Sequence, residues 1–289
     1  MAIITPNSAS HWYRRDGSPC HTQPYADKKR AAKGETRSTH VGDARKLGLL
    51  PSVTNVLNIK SNPMLSAWSR EQVLLIAARN PRMQGESDED YVKRIEGLFQ
   101  CEMDELREIG HKFHAAMEEF AHLKVVNPDN YDGADIPVDA GKAWFSDRVM
   151  SVQHTERTVV SGKYAGTLDL VCEMRSGASS SSQVSIVDYK TRRGGWARDK
   201  KTGMWKCATY EADVLQLAAY RAALCEQIGF PFDTPLMDCI SLIVPSGNVP
   251  SGEIPDAYEK VWEFGDLANA KRTFDHLLDA WQSSKGYNI

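Results

Sequence analysis

Long apolar runs are missing from this 289-residue chain. No stretch of about 18 or more apolar residues occurs, which excludes a membrane-spanning helix, and the opening MAIITPNSASHWYRRDG lacks the apolar core of a secretory signal. The expected compartment is the cytoplasm. Close cysteine pairs are missing as well. The six cysteines, at 20, 101, 172, 207, 225 and 239, form no C-x-x-C, which argues against a zinc ribbon or a clustered iron-sulfur site. The thiols are expected to be reduced and mostly buried. A phosphate-binding G-x-x-x-x-G-K-[ST] is absent, so the chain carries no nucleotide-driven motor of its own.

A strong net charge is also missing, since 35 Lys/Arg face 38 Asp/Glu for a total of −3. The total hides a sorted distribution. Residues 1 to 60 hold ten Lys/Arg against four Asp/Glu, and residues 190 to 206 hold seven against the single acid Asp199. Residues 86 to 119 reverse the balance, with eleven acids and four bases. Local fields of this kind, more than the sum, steer a polyanion, although a basic run by itself is ordinarily a solvated face.

What is present is the apolar fraction of a chain with a packed core, 42%. Residues 1–50 are rich in Arg, Lys, Ser, Thr and Gly with weak periodicity and read as a basic, irregular arm. From 51 onward an organised body is expected, with a helical part over 51–150 and a β-containing part over 151–289. Asn62-Pro63 reads as a helix cap, and Leu65, Trp68, Val73 and Leu75 supply an apolar stripe for a helix over about 63–79. Apolar residues from Tyr91 to Phe120 recur at three- or four-residue intervals, predicting a long amphipathic helix or a broken pair over 88–123. A further helix is expected at 138–150. Segments 153–160, 165–174 and 184–190 are rich in Val, Ile, Leu and Thr and predict a three-stranded meander. A hairpin at 195–207, a helix at 209–228, strands at 239–244 and 260–264 and a C-terminal helix follow. Helices flanking a central mixed sheet make an α/β (α+β) layer fold.

The chemistry concentrates in Gly166-Thr-Leu-Asp169 and Val187-Asp188-Tyr189-Lys190. Side chains alternate along a strand, so Asp188 and Lys190 share a face. An antiparallel neighbour can bring Asp169 beside Asp188. Two converging carboxylates repel unless a cation lies between them, and a hard divalent ion with oxygen ligands fits. An isolated D-x-K recurs by chance as a surface ion pair, so its surroundings decide. Those surroundings run, in order, Gly110 to His114 as G-x-x-x-H, Glu156 as an upstream acid, Gly166 to Asp169 as G-x-x-D, Asp188 to Lys190 as D-x-K, and Gln216 to Tyr220 as Q-x-x-x-Y. On helices the i, i+4 pairs share a face.

This ordered set resembles the RecB-like branch of the PD-(D/E)XK nuclease superfamily over roughly residues 105–225. Residues 51–68 are also similar to the corresponding segment of phage-type exonucleases and of the mitochondrial genome maintenance exonuclease. The resemblance implies a restriction-endonuclease-like core spanning 51–289. It implies a metal held by Asp169, Asp188 and the backbone carbonyl of Tyr189, with His114 a further metal ligand or a phosphate contact and Lys190 acting on the attacking water. By the same resemblance Gln216 and Tyr220 position the DNA strand and the lysine, and Glu156 is a supporting acid. Mg²⁺ is the implied ion, with Mn²⁺ able to substitute, and no iron-sulfur cluster is expected.

The implied partner is DNA, as a single strand or a duplex end, with a helicase or a single-strand annealing protein as a possible companion; oligomeric state stays open. Arg192, Arg193, Trp196, Arg198, Lys200, Lys201 and Trp205 are candidate DNA contacts, joining phosphate attraction to base stacking. The alternative for them is a solvated turn with tryptophans packed on the body. The implied activity is DNA exonuclease action in phage or cellular recombination, repair or replication. A structure-specific endonuclease and a noncatalytic DNA-binding accessory protein remain open alternatives.

Overall fold

Two helical layers enclose a five-stranded mixed sheet in the computed structural model, which describes residues 11–60, 63–175, 182–234 and 237–288. The N-terminal part runs through β1 (Trp12–Tyr13), β2 (Thr22–Pro24), α1 (Lys28–Ala32), β3 (Thr36–Ser38), α2 (Val41–Leu47), β4 (Leu50–Pro51), α3 (Val53–Leu57) and α4 (Pro63–Arg79). There follow α5 (Asp88–Leu123), α6 (Asp135–Arg148), β5 (Val149–Val160), β6 (Ala165–Arg175), β7 (Ser182–Arg192), β8 (Trp196–Arg198) and β9 (Trp205–Cys207). The chain continues through α7 (Glu211–Ile228), β10 (Met237–Pro245), β11 (Tyr258–Val261) and α8 (Phe264–Lys285). The fold class matches the sequence expectation.

The sheet order is β11-β10-β7-β6-β5. The predicted meander supplies the antiparallel β5-β6-β7 part. After β7 the chain crosses over through α7 and returns as β10 parallel to β7, which is why β10 is buried on both sides and reads as the apolar run Cys-Ile-Ser-Leu-Ile-Val. Alternation along β7 splits the core in two. Ile186 faces the layer of α3, α7 and α8, with Leu168, Leu215, Ala219 and Phe274. Val187 and Tyr189 face α5 and α6, with Phe113, Met117, Phe145 and Leu242.

The 88–123 periodicity is one unbroken helix of 36 residues, capped by Ser87, which accepts from the Asp90 N–H; Asp88, Glu89 and Asp90 in the first turn suit the positive helix end. Its buried residues lie almost all in the C-terminal half, where it covers the sheet. The N-terminal half pairs with α4 and stands off the core. The stripe expected on α4 is therefore not a core face: Trp68 and Leu75 are exposed and Val73 is half-buried, while Ile76 is the residue that packs. Packed chiefly on α5 among the described residues, α4 needs only a narrow seam. The Leu65 side chain and the Asn62 cap lie outside the described residues, as does most of the predicted Ser-rich loop.

The expected irregular arm is different too. Residues 1–10 lie outside the described set, but 11–50 form two short helices, turns and strand pairs, with β1 paired to β4 and β2 to β3. Trp12, 1% exposed, packs its indole on Trp281 and Tyr287 at centroid distances of 5.9 and 6.0 Å. Weak periodicity misled here because a single large aromatic, not a stripe, anchors the segment.

Behind it, the His21 ring accepts the Trp12 backbone N–H at 3.0 Å through Nδ1. Burial, and then the neighbouring His11, pull the His21 pKa from 6.5 down to about 4. The unfolded segment thus takes up a proton first as pH falls. Arm docking is expected to be complete above pH 6.5 and to weaken as the pH drops through about 4, followed by tryptophan fluorescence. His21→Asn, which keeps an acceptor without a titrating ring, should flatten that profile. Five of the six cysteines are buried, Cys101 is exposed, and all are free. No described helix is long and apolar enough to cross a membrane.

Candidate active site

The ladder between β6 and β7 stops before the strands do. Their register runs from Arg175 opposite Ser182 to Leu170 opposite Val187 and ends there, while β6 stays paired to β5 as far as Ala165. Asp169 and Asp188 are the next residues on either side, so they sit where the two strands fork. In the fork the Asp169 carboxylate takes over a strand's role: its Oδ2 accepts the Tyr189 N–H at 2.6 Å.

On the other side of β6, Thr155 pairs with Leu170 and Arg157 with Leu168, which sets Glu156 directly across from Asp169. Like charges opposite one another destabilise a strand pair. Glu156 also has φ = 45°, in the left-handed region that a non-glycine residue enters at a cost of about 1–3 kcal/mol. From α5, His114 Nδ1 reaches Asp169 Oδ1 at 3.2 Å. One ligand atom from each of His114, Glu156 and Asp169 falls within 4.8 Å of the others.

The fields within this trio diverge. Burial of the carboxyl, and then the Asp169 charge, push Glu156 up to about 7, although the residue as a whole is exposed. For Asp169 burial acts upward, but the charge and hydrogen bond of His114, with Lys190 and the Tyr189 N–H, prevail and hold the carboxyl below its ordinary value. Burial would lower the His114 pKa, and Asp169 with Glu156 outweighs it, raising the net value. Two carboxyls and an imidazole with opposed shifts form a site that separates protonation states.

On the α7 face of β7, Lys190 Nζ lies 2.7 Å from Asp188 Oδ2 and donates to Gln216 Oε1 at 3.0 Å. Gln216 Nε2 donates in turn to the Tyr220 hydroxyl at 2.9 Å. The i, i+4 spacing on α7 thus builds a relay from Tyr220 through Gln216 to the lysine. Burial would lower the Lys190 pKa, but Asp188 and Asp169 hold it above the ordinary value, so the ammonium stays charged. Asp188 is 2% exposed, and burial together with the Asp169 charge moves its carboxyl upward in spite of Lys190.

Two glycines of the motifs are explained by what abuts them. A Cβ at Gly166 would fall 3.2 and 3.3 Å from two Tyr220 ring carbons and nearer still to a third, so only glycine leaves room for that ring. Gly110 passes Thr191 on β7, where a Cβ would lie 3.5 Å from the hydroxyl, an ordinary contact. Its absence there is a convenience and not a necessity.

The donor set fits a divalent cation. The trio offers two carboxylates and an imidazole, and the buried Asp188 carboxylate, 2.7 Å from the Lys190 ammonium through Oδ2, adds a third carboxylate nearby. Oxygen donors suit Mg²⁺ or Mn²⁺. The structure groups Glu156 with Asp169 and His114, whereas Asp188 is not a member of that 4.8 Å cluster and faces Lys190. The Tyr189 ring is buried between Phe113 and His114, at 5.5 and 5.6 Å.

The predicted hairpin is present as β8 and β9, directly after β7. Much of its charge is used within the fold. Arg192 pairs with buried Asp213 at 3.0 Å, Arg198 with Glu253 at 2.8 Å, and Lys206 with Asp199 at 2.7 Å. Arg193, Lys200 and Lys201 have no ion pair among the described residues. Trp196 donates its indole N–H to the Arg192 carbonyl at 3.0 Å, and the Arg198 guanidinium lies over the Trp205 ring at 4.3 Å. Both indoles are half-buried, with part of each ring open to solvent.

Sequence reasoning passed over Tyr13 and Asp213. Tyr13, 4% exposed, hydrogen-bonds Thr167 Oγ1 at 3.1 Å, two residues before Asp169. Nothing in its basic surroundings marks it. Asp213 had a signal: three residues after Tyr210, at the start of a helix, it accepts the Tyr210 N–H in a capping box.

No protein-family model matches the sequence, and no curated protein matches it. Among solved structures, a crystal structure of a Eubacterium rectale protein provisionally assigned as an exonuclease is similar over 68% of this chain and 73% of its own, at 13% identity and a TM-score of 0.36.

Proposed function

We propose that this chain is a divalent-metal-dependent deoxyribonuclease that hydrolyses phosphodiester bonds, with Asp169, Asp188, Glu156 and His114 around the ion and Lys190 on the attacking water. The observation that carries the reading is the strand fork itself. There, opposed carboxylates Glu156 and Asp169, a strained backbone at Glu156 and the His114 ring meet beside the buried Asp188–Lys190 pair. Unfavourable features gathered in one place point to a ligand that relieves them.

When bound, a Mg²⁺ or Mn²⁺ ion supplies a Lewis acid and lowers the pKa of water. The chain's own residues do the rest. Lys190, aimed by Asp188 and Gln216, orients the water and offsets negative charge gathering on the phosphate. Tyr220 fixes Gln216, and Arg193, Lys200 and Lys201 attract the phosphodiester backbone close to the site. Exonucleolytic action on DNA ends, with Mg²⁺ as the ion and a helicase or annealing protein as companion, follows from the motif resemblance and belongs to the same proposal.

The test is cleavage of end-labelled single- and double-stranded DNA, linear and circular, in Mg²⁺ and in Mn²⁺. Degradation of linear substrates with circles spared is expected; cutting of circles would make it an endonuclease, and no cleavage of any substrate with either ion would sink the enzyme reading. Metal binding has its own readout. At a hundredfold excess over its Kd, a divalent ion is expected to stabilise the protein by about 2.7 kcal/mol, seen as a rise in Tm, and Asp169→Asn should abolish most of that rise.

A further inference from the structure

The N-terminal segment forms a wall of the fork, and that wall has a chemistry of its own. His11 and Tyr13 flank Trp12, so when Trp12 enters the core they share the opposite face. That face looks toward β6, where Tyr13 bonds Thr167, and toward Glu156, whose charge bears on the Tyr13 hydroxyl. The rings are stacked into a small platform. His21 lies parallel to His11, at 4.6 Å and 25°, and meets Tyr13 edge-on at 5.1 Å. His11 is also held rigidly by its backbone: its N–H donates to Asn55 Oδ1 at 3.2 Å and its carbonyl accepts from Asn55 Nδ2 at 2.6 Å and from the Ser52 N–H.

His111 stands exposed on α5, one helical turn before His114, and its charge bears on His11. Neither imidazole has a side-chain hydrogen bond or ion pair among the described residues. Paired imidazoles without a carboxylate partner offer N–H donors to an anion, and the His11 ring, stacked on one side only among the described residues, keeps its other face for a base.

We propose that His11, on its His21–Tyr13 platform, and His111 form a subsite that holds one unpaired nucleotide of a single-stranded nucleic acid beside the scissile phosphate. The inference rests on the nuclease reading and deepens it by naming the substrate class, since a base within a duplex has no free face to stack. His111 takes the flanking phosphate and His11 the base.

The experiment measures binding of a fluorescein-labelled single-stranded 12-mer and a blunt duplex by anisotropy, with Ca²⁺ replacing Mg²⁺ to hold off cleavage. Alongside it, hydrolysis of the p-nitrophenyl ester of thymidine 5′-phosphate, too short to reach the subsite, is followed in Mg²⁺ and Mn²⁺. Wild type is compared with His11→Ala and with His111→Ala, the latter an exposed helix position that folding tolerates. Each substitution is expected to weaken single-strand binding about tenfold, leaving duplex binding, ester turnover and Tm unchanged. Unchanged single-strand affinity overturns the subsite, as does an equal loss for strand and duplex or a loss of ester turnover, which would mark the segment as a prop. A wild type that binds the strand, loses it in both variants and cleaves nothing supports the subsite while removing the nuclease reading.

Discussion

Lys190→Ala is expected to lower metal-dependent DNA cleavage by about 10²–10³-fold, the usual loss when one preorganised donor is taken from developing charge. A second effect accompanies it and is separable. Asp188, buried and 2.7 Å from the ammonium, would lose that cation and have either to take up a proton or to stay an unpaired buried charge, a loss of about 3 kcal/mol in stability. A divalent ion supplies the missing positive charge, so Mg²⁺ should raise the Tm of the variant more than that of wild type. Cleavage rates at saturating metal, measured well below the variant's Tm, isolate the chemical part. Wild-type turnover by the variant under those conditions would remove the lysine from the reaction.

Gly166→Ala should act through a different link of the same site. The added methyl group overlaps the Tyr220 ring, which is 5% exposed and cannot swing into solvent. Overpacking of this kind costs about 1–3 kcal/mol, read as a lower urea midpoint. The ring must shift, and with it the hydroxyl that holds Gln216, which in turn holds Lys190. A fall in kcat with KM little changed is therefore expected, and Tyr220→Phe, which keeps the ring and deletes the hydroxyl, should reproduce the kinetic loss without the packing loss. Full kcat in Gly166→Ala would break the proposed connection between ring and lysine.

Periodicity carried far along this chain. The α5 stripe, the alternation of β7 and the i, i+4 pair on α7 were legible because each has a repeat that exposes a face. Trp12 has none: one residue, buried against partners more than 260 positions away, leaves no pattern in its neighbourhood. Within the site, the D-x-K strand and the Gln216–Tyr220 relay could be read from geometry. The position of Glu156 could not, since it depends on register across β5 and β6 and on a left-handed φ that a glutamate does not advertise. The basic run after β7 shows the opposite error. Counting charges overlooked Asp213 and Glu253, which come from α7 and the segment after β10 and neutralise Arg192 and Arg198.

The contact of Trp12 with Trp281 and Tyr287 bears on when the molecule can assemble during synthesis. The Tyr287 hydroxyl donates to the carbonyls of Ala44 and Leu49, so the segment that carries Tyr13 onto β6 is clamped by residues translated long after it. Contacts of such long sequence separation are slow to close and cannot form before both partners have been made. While the ribosome is still reading the codons for α8, β6 and β7 can pair, but the wall beside their fork stays open. Ribosome-bound intermediates ending before residue 281 would thus expose the acidic cluster of the fork without its enclosing side.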